Sequence, residues 1–72
     1  MNKQPTIVTS VSDIGTVVRA RRREQGLTQH DLADVSGSGF RFISELERGK
    51  ASAEAGKVLR VLKELGLRVF IE

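Results

Sequence analysis

Cysteine is absent from this 72-residue chain, which excludes a disulfide framework and every thiolate chemistry. Its single histidine, His30, has no companion ligands with which to build a tetrahedral zinc site, and no metal or cofactor is expected. Long apolar runs are missing too: nothing approaches the ~20 residues that cross a bilayer, and the start of the chain lacks a signal-peptide core. No membrane partner and a cytoplasmic location are therefore expected. With one histidine and carboxylates scattered over helix faces, no acid, base and nucleophile converge, and a chain this short encloses no walled pocket. A metabolic enzyme is thus disfavoured and a binding module is the default. The length predicts one small domain, and at this size folding buries only roughly 60% of the unfolded surface, so a partner commonly adds stability.

What the chain does have is positive charge. Twelve Lys and Arg against nine Asp and Glu give +3, with an isoelectric point of about 10.0, which suits nucleic acid without requiring it. The excess is local: residues 1–30 hold five basic and two acidic groups, whereas residues 31–72 hold seven of each.

Helical spacing dominates the middle of the sequence. Residues 1–11 read as an arm or a short edge strand around Thr6, Ile7, Val8 and Thr9. Ser12 offers a cap for a first helix from Asp13 to Gln25, with Ile14, Val17 and Val18 facing inward, Arg21 laying its stem over the core, and Gly26 as the stop. Thr28 and Asp31 form a variant capping box for a short second helix, Gln29 to Val35, whose buried face is Leu32, Ala33 and Val35. Ser36, Gly37, Ser38 and Gly39 make a tight turn. A third helix follows from Gly39 or Phe40 to Glu47, with Ile43 and Leu46 inward. Ser52 can cap a fourth, with Glu54 in its first turn and a stripe of Val58, Val61, Leu62 and Leu65 ending at Gly66.

The last six residues break the helical pattern. Leu67, Arg68, Val69, Phe70 and Ile71 are β-branched, aromatic or apolar apart from the arginine, and they predict a strand with no obvious mate in the chain. Its partner is expected to be the same strand of a second copy, since two-fold pairing is the commonest symmetry. The chain accordingly divides into an arm (residues 1–11), a helical domain (12–66) and a dimerising strand (67–72).

Two short helices joined by a glycine-containing turn are the helix-turn-helix plan, in which the second helix enters the major groove of DNA. With Ile43 and Leu46 inward, Gly39, Phe40, Arg41 and Ser44 project outward. Arg41 can donate twice to guanine, Ser44 can bond a base or a phosphate, Gly39 permits close approach, and Phe40 can meet a thymine methyl. Phosphate donors are expected at Thr28 and Gln29, where the second helix begins, and at Lys50 and Ser52, beyond the third. The cluster Arg19, Arg21, Arg22 and Arg23 is scattered over several helix faces, so it reads equally as a solvated surface. His30 is expected at an exposed first-turn position.

The stretch Gly26-Leu27-Thr28-Gln29-His30-Asp31-Leu32-Ala33, followed by Phe42-Ile43-Ser44-Glu45-Leu46-Glu47-Arg48-Gly49-Lys50, resembles the Xre/Cro family of helix-turn-helix DNA-binding domains over residues 14–65. The resemblance implies an all-α, lambda-repressor-like helix-turn-helix fold, and the four helices read above are expected to make it. It also implies a phosphate contact at Gln29, base-facing positions at Gly39, Phe40, Arg41 and Ser44, and a buried ion pair between Arg22 and Glu47. Arg41 to Lys50 and the terminal segment are more narrowly similar to HipB-type antitoxins. That similarity implies a homodimer with paired C-terminal strands, a palindromic operator, repression of its own operon, and a HipA-type serine/threonine kinase toxin as partner. The general family usually presents five helices; here a strand is expected in place of the last. A protein-interaction module that neutralises a toxin, with DNA binding secondary, is the alternative.

Overall fold

A computed structural model describes residues 6–50 and 52–72. Four helices follow one another: α1 (Val11–Glu24), α2 (Gln29–Ser36), α3 (Phe40–Glu47) and α4 (Ala55–Glu64). α3 is the centre of the packing, lying against both α1 and α2, while α4 closes over α2. Val18, Leu32, Ile43, Leu46, Val61 and Leu65 are fully buried between them, and their burial supplies the main force for folding, about 1.5–3 kcal/mol for each large side chain.

α1 starts two residues earlier than the sequence predicts, with Ser10 rather than Ser12 as its cap. The Ser10 hydroxyl accepts from the Asp13 amide at 3.1 Å, while the Asp13 carboxylate accepts from the Thr9 amide and hydroxyl at 2.9 and 3.0 Å. This reciprocal arrangement satisfies donors that a start at Ser12 would leave bare. The same bonds, led by that from the Thr9 amide, hold the Asp13 carboxyl below its usual range. Residues 6–9, expected as arm or strand, are irregular and exposed, and residues 1–5 of that segment lie outside the described residues.

One glycine decides how closely α1 and α3 approach. A methyl group at Gly15 would fall on the Leu46 carbonyl oxygen, so only a bare backbone lets the helices meet there. Gly15, Val18 and Arg22 are the buried positions of α1, a helical stripe that carries Arg22 to the α3 side of the core.

α2 carries the expected capping box: the Thr28 hydroxyl accepts from the Asp31 amide at 3.0 Å and the Asp31 carboxylate from the Thr28 amide at 2.9 Å. It runs one residue further than the periodicity predicts, and Val35 is exposed rather than buried. Ser36 takes the inward place, its hydroxyl donating to the Leu32 carbonyl at 2.7 Å, which lets a polar side chain sit in the core without an unmade bond. Gly37 and Gly39 adopt φ of 66° and 77°, a left-handed backbone that side chains disfavour, and so fold the turn that swings α3 away from α2.

α4 begins at Ala55 with Glu54, not Ser52, in the cap position, and Glu54 makes no side-chain bond to the helix start. The Ala53 amide instead donates back to the Lys50 carbonyl, and Ala53 tucks against the core, so the chain is still turning where the sequence suggested a helix. At the other end the Leu67 amide donates to the Leu62 carbonyl and the Gly66 amide to the Lys63 carbonyl, both at 2.9 Å. This closure folds Leu67 onto the core. The Arg21 guanidinium and the Gln25 amide also donate to the Leu65 carbonyl, at 3.1 and 2.9 Å, fixing the end of α4 against α1.

The expected strand over residues 67–72 does not form in the single chain. No other strand exists among the described residues, so its backbone groups have no ladder to join. Beyond Leu67 the segment is exposed, Ile71 at 95%.

Candidate nucleic-acid interface

α2, the glycine turn and α3 set a helix with one buried and one open face at the surface. Ile43 and Leu46 hold it to the core, and the opposite side presents Gly39, Phe40 and Arg41, with Ser44 half-buried behind them. The Arg41 side chain is 89% exposed. Its Nε donates to Glu45 Oε2 at 3.3 Å, one helical turn on, which leaves both terminal nitrogens for an outside acceptor. The same carboxylate oxygen accepts from Lys50 Nζ at 3.1 Å. Those bonds, Lys50's before Arg41's, hold the Glu45 carboxyl below its ordinary value.

Beneath this surface lies a closed polar network. Arg22 grips Glu47 with two bonds, Nε to Oε2 at 2.7 Å and Nη2 to Oε1 at 3.0 Å, and its third nitrogen donates to the Leu27 carbonyl at 2.8 Å. Gln29 Nε2 donates to Glu47 Oε1 at 3.1 Å. The pair is withdrawn from water, with side-chain exposures of 10% and 2%, and no buried side-chain nitrogen or oxygen among the described residues lacks a partner. Burial pushes the Glu47 carboxyl up, but the bonds from Arg22 and Gln29 and the charges of Arg22 and Arg19 outweigh it, leaving the group below its ordinary value. The Glu47 bonds raise the Arg22 guanidinium in turn. One network therefore joins α1, the loop before α2, α2 and α3, and fixes the angle at which α3 is presented.

An open groove between the start of α2 and the outer face of α3 gathers Thr28, Gln29, Phe40 and Ser44, together with Arg19, His30 and Arg48. The capping box consumes the Thr28 and Asp31 amides, which leaves those of Gln29 and His30, in the first turn of α2, for an anion. Lys50 and Ser52 are not part of this groove; they lie with Glu45 in a second hollow on the other side of α3. Ala51, between them, lies outside the described residues. Arg19 was legible only as one of a scattered group of arginines, and Arg48 not as a site residue at all; nothing in periodicity brings residues from α1 and the end of α3 to one rim. The ring of His30 stacks on that of Phe40 at 4.0 Å, a contact between α2 and α3 that the sequence does not announce.

The family model for the helix-turn-helix matches residues 18–70. The chain belongs to the helix-turn-helix family, of Xre/Cro type. It is 53% identical over 60 residues to an uncharacterized HTH-type transcriptional regulator, y4mF, of Sinorhizobium fredii, covering 83% of this chain and 79% of the relative. Among solved structures it is similar to HipB in two complexes. A serine-to-alanine variant with an O2 20mer has a TM-score of 0.85 at 20% identity, covering 94% of each chain. HipB with an O4 20mer has a TM-score of 0.84 at 21% identity, covering 93% of this chain and 94% of that one. At that identity the likeness is one of fold. The helix-turn-helix family is one of transcriptional regulators and is non-enzymatic. No helix among the described residues is long and apolar enough to cross a membrane.

Proposed function

We propose that this helix-turn-helix regulator is a sequence-specific DNA-binding repressor, working in the cytoplasm as a homodimer on a palindromic operator. α3 lies in the major groove, with Arg41 donating to guanine and Gly39, Phe40 and Ser44 lying against base edges. The observation that carries this is the open guanidinium of Arg41 on the first turn of a helix whose opposite face is locked into the core. Thr28, Gln29, Lys50 and Ser52 contact phosphates on either side. The Thr28 oxygen already accepts from the Asp31 amide, so its O–H proton is the one offered to DNA. Affinity falls steeply as salt rises, because phosphate contacts release counterions. A mobility shift with duplexes selected from a randomised library tests the proposal; failure to enrich any duplex contradicts it.

Gln29→Ala is expected to weaken all duplexes alike and to leave the salt dependence unchanged, since the residue is neutral and contacts the backbone. A changed sequence preference in a binding-site selection contradicts the phosphate role.

Dimerisation falls to the C-terminal segment. Leu67 is engaged by its own core, so Arg68, Val69, Phe70 and Ile71 supply the pairing edge, and pairing with a second copy draws Phe70 and Ile71, two highly exposed apolar side chains, out of water. A chain ending at Gly66 is expected to run as a monomer in a sizing measurement; an unchanged dimer contradicts the strand pairing.

The resemblance to HipB-type antitoxins extends the proposal: the protein neutralises a HipA-type serine/threonine kinase toxin and represses the operon encoding both. The alternative, a toxin-holding module with DNA binding secondary, is distinguished by repeating the mobility shift with and without the kinase.

A further inference from the structure

The imidazole of His30 and the phenyl ring of Phe40 stack with centroids 4.0 Å apart and planes inclined by 13°. The core does not require this pair: both residues are exposed and neither belongs to the buried cluster. The rings come from different helices, His30 from the second residue of α2 and Phe40 from the first of α3. Gly39, which caps α3, has no side chain to bond the helix start. Phe40 therefore stands at an uncapped helix entrance, where the ring of His30 covers one of its faces. It keeps 42% of its surface open.

We propose that His30 is the positioning residue for thymine readout: its ring holds the phenyl of Phe40 where the open side meets the C5-methyl group of a thymine. This rests on the reading of α3 as the base-reading helix. Thymine alone among the four bases shows a methyl group in the major groove, and apolar contact is what a phenyl ring can offer there. An unsupported ring would have to give up its side-chain freedom on binding DNA. A stacked ring has lost it beforehand, so more of the contact appears as affinity and discrimination. The methyl group itself is worth about fourfold in binding, the value of burying one carbon.

The test uses the full chain and its His30→Ala, His30→Phe and Phe40→Ala variants. A duplex is first selected by the unaltered protein from a randomised library, and each thymine is then replaced in turn by deoxyuridine, which deletes only the methyl. One thymine in each half-site is expected at which the replacement weakens the unaltered protein about fourfold. Phe40→Ala and His30→Ala are expected to bind the two duplexes equally. His30→Phe, which keeps an aromatic plane, is expected to restore the preference. Thermal unfolding checks that each variant is folded. If His30→Ala weakens every duplex but keeps the thymine preference, His30 does not position Phe40, while the reading of α3 stands. If no thymine responds, or Phe40→Ala keeps the preference, Phe40 reads no methyl and the proposal falls with that contact. If no duplex is enriched at the start, the DNA-reading role of α3 itself fails.

Discussion

Replacing Glu47 with alanine is expected to cost about 3–5 kcal/mol of folding stability, because it leaves the buried guanidinium of Arg22 without its partner. A domain of this length has roughly 4–11 kcal/mol to lose, at about 0.05–0.15 kcal/mol per residue, so the variant is expected to be largely unfolded on warming. Gln29 loses an acceptor at the same time, and the angle of α3 goes with it. The double variant Arg22→Met, Glu47→Leu removes both charges and is expected to recover most of the loss, since well-packed apolar residues commonly replace a buried pair at little cost. Urea denaturation of the singles and the double measures this directly. Equal stability of Glu47→Ala and the unaltered protein contradicts the structural role. Linkage gives a second sign. The folded Glu47 carboxyl sits below its ordinary 4.5, so its contribution is full above that value and is lost as pH falls through the folded one. The capping carboxylates of Asp13 and Asp31 are lowered too and act in the same direction. Thermal stability is therefore expected to decline below about pH 4.5, and less steeply once Glu47 is gone.

Arg41→Ala is expected to lose about 1–3 kcal/mol of binding, concentrated at a single base pair of each half-site, while other positions keep their preference. The side chain is almost wholly exposed, so its removal leaves the fold intact and the loss reports recognition alone. Glu45 Oε2 accepts from Nε only, so both terminal nitrogens remain to donate to a guanine edge if Arg41 reads a base. Binding-site selection with the variant shows a relaxed position if Arg41 reads a base. Uniform weakening on all sequences contradicts that role and leaves Arg41 a phosphate contact.

Local chemistry made much of this architecture legible. Thr28 and Asp31 marked the start of α2, Gly37 and Gly39 the turn, and the inward spacing of Ile43 and Leu46 defined the outer face of α3. The start of α1 was missed because Ser12 and Ser10 are both good caps; the spacing of Ser10 to Asp13 repeats that of Thr28 to Asp31 and was the available signal. Ser52 misled for the opposite reason: a good capping residue sits in a turn whose direction is set by Ala53 reaching the core. Val35 looked buried because it is apolar, yet the packing of α2 between α3 and α4 gives the inward place to Ser36. His30 and Phe40 are ten residues apart on different helices, and no periodicity within either helix could pair them. The terminal segment carries a strand-like pattern of apolar and β-branched residues, but no other strand exists among the described residues for it to pair with, and it is irregular.

Methylation interference at guanine N7 on the selected duplex tests the central claim most directly, because a methyl group there blocks the major-groove edge that Arg41 would hold. One guanine in each half-site is expected to interfere, with the two sites symmetric and about 34 Å or a multiple of it apart, and Arg41→Ala is expected to become indifferent to the modification. Binding that tolerates methylation of every guanine, or interference that persists in Arg41→Ala, contradicts the placing of α3 in the major groove with Arg41 at a base.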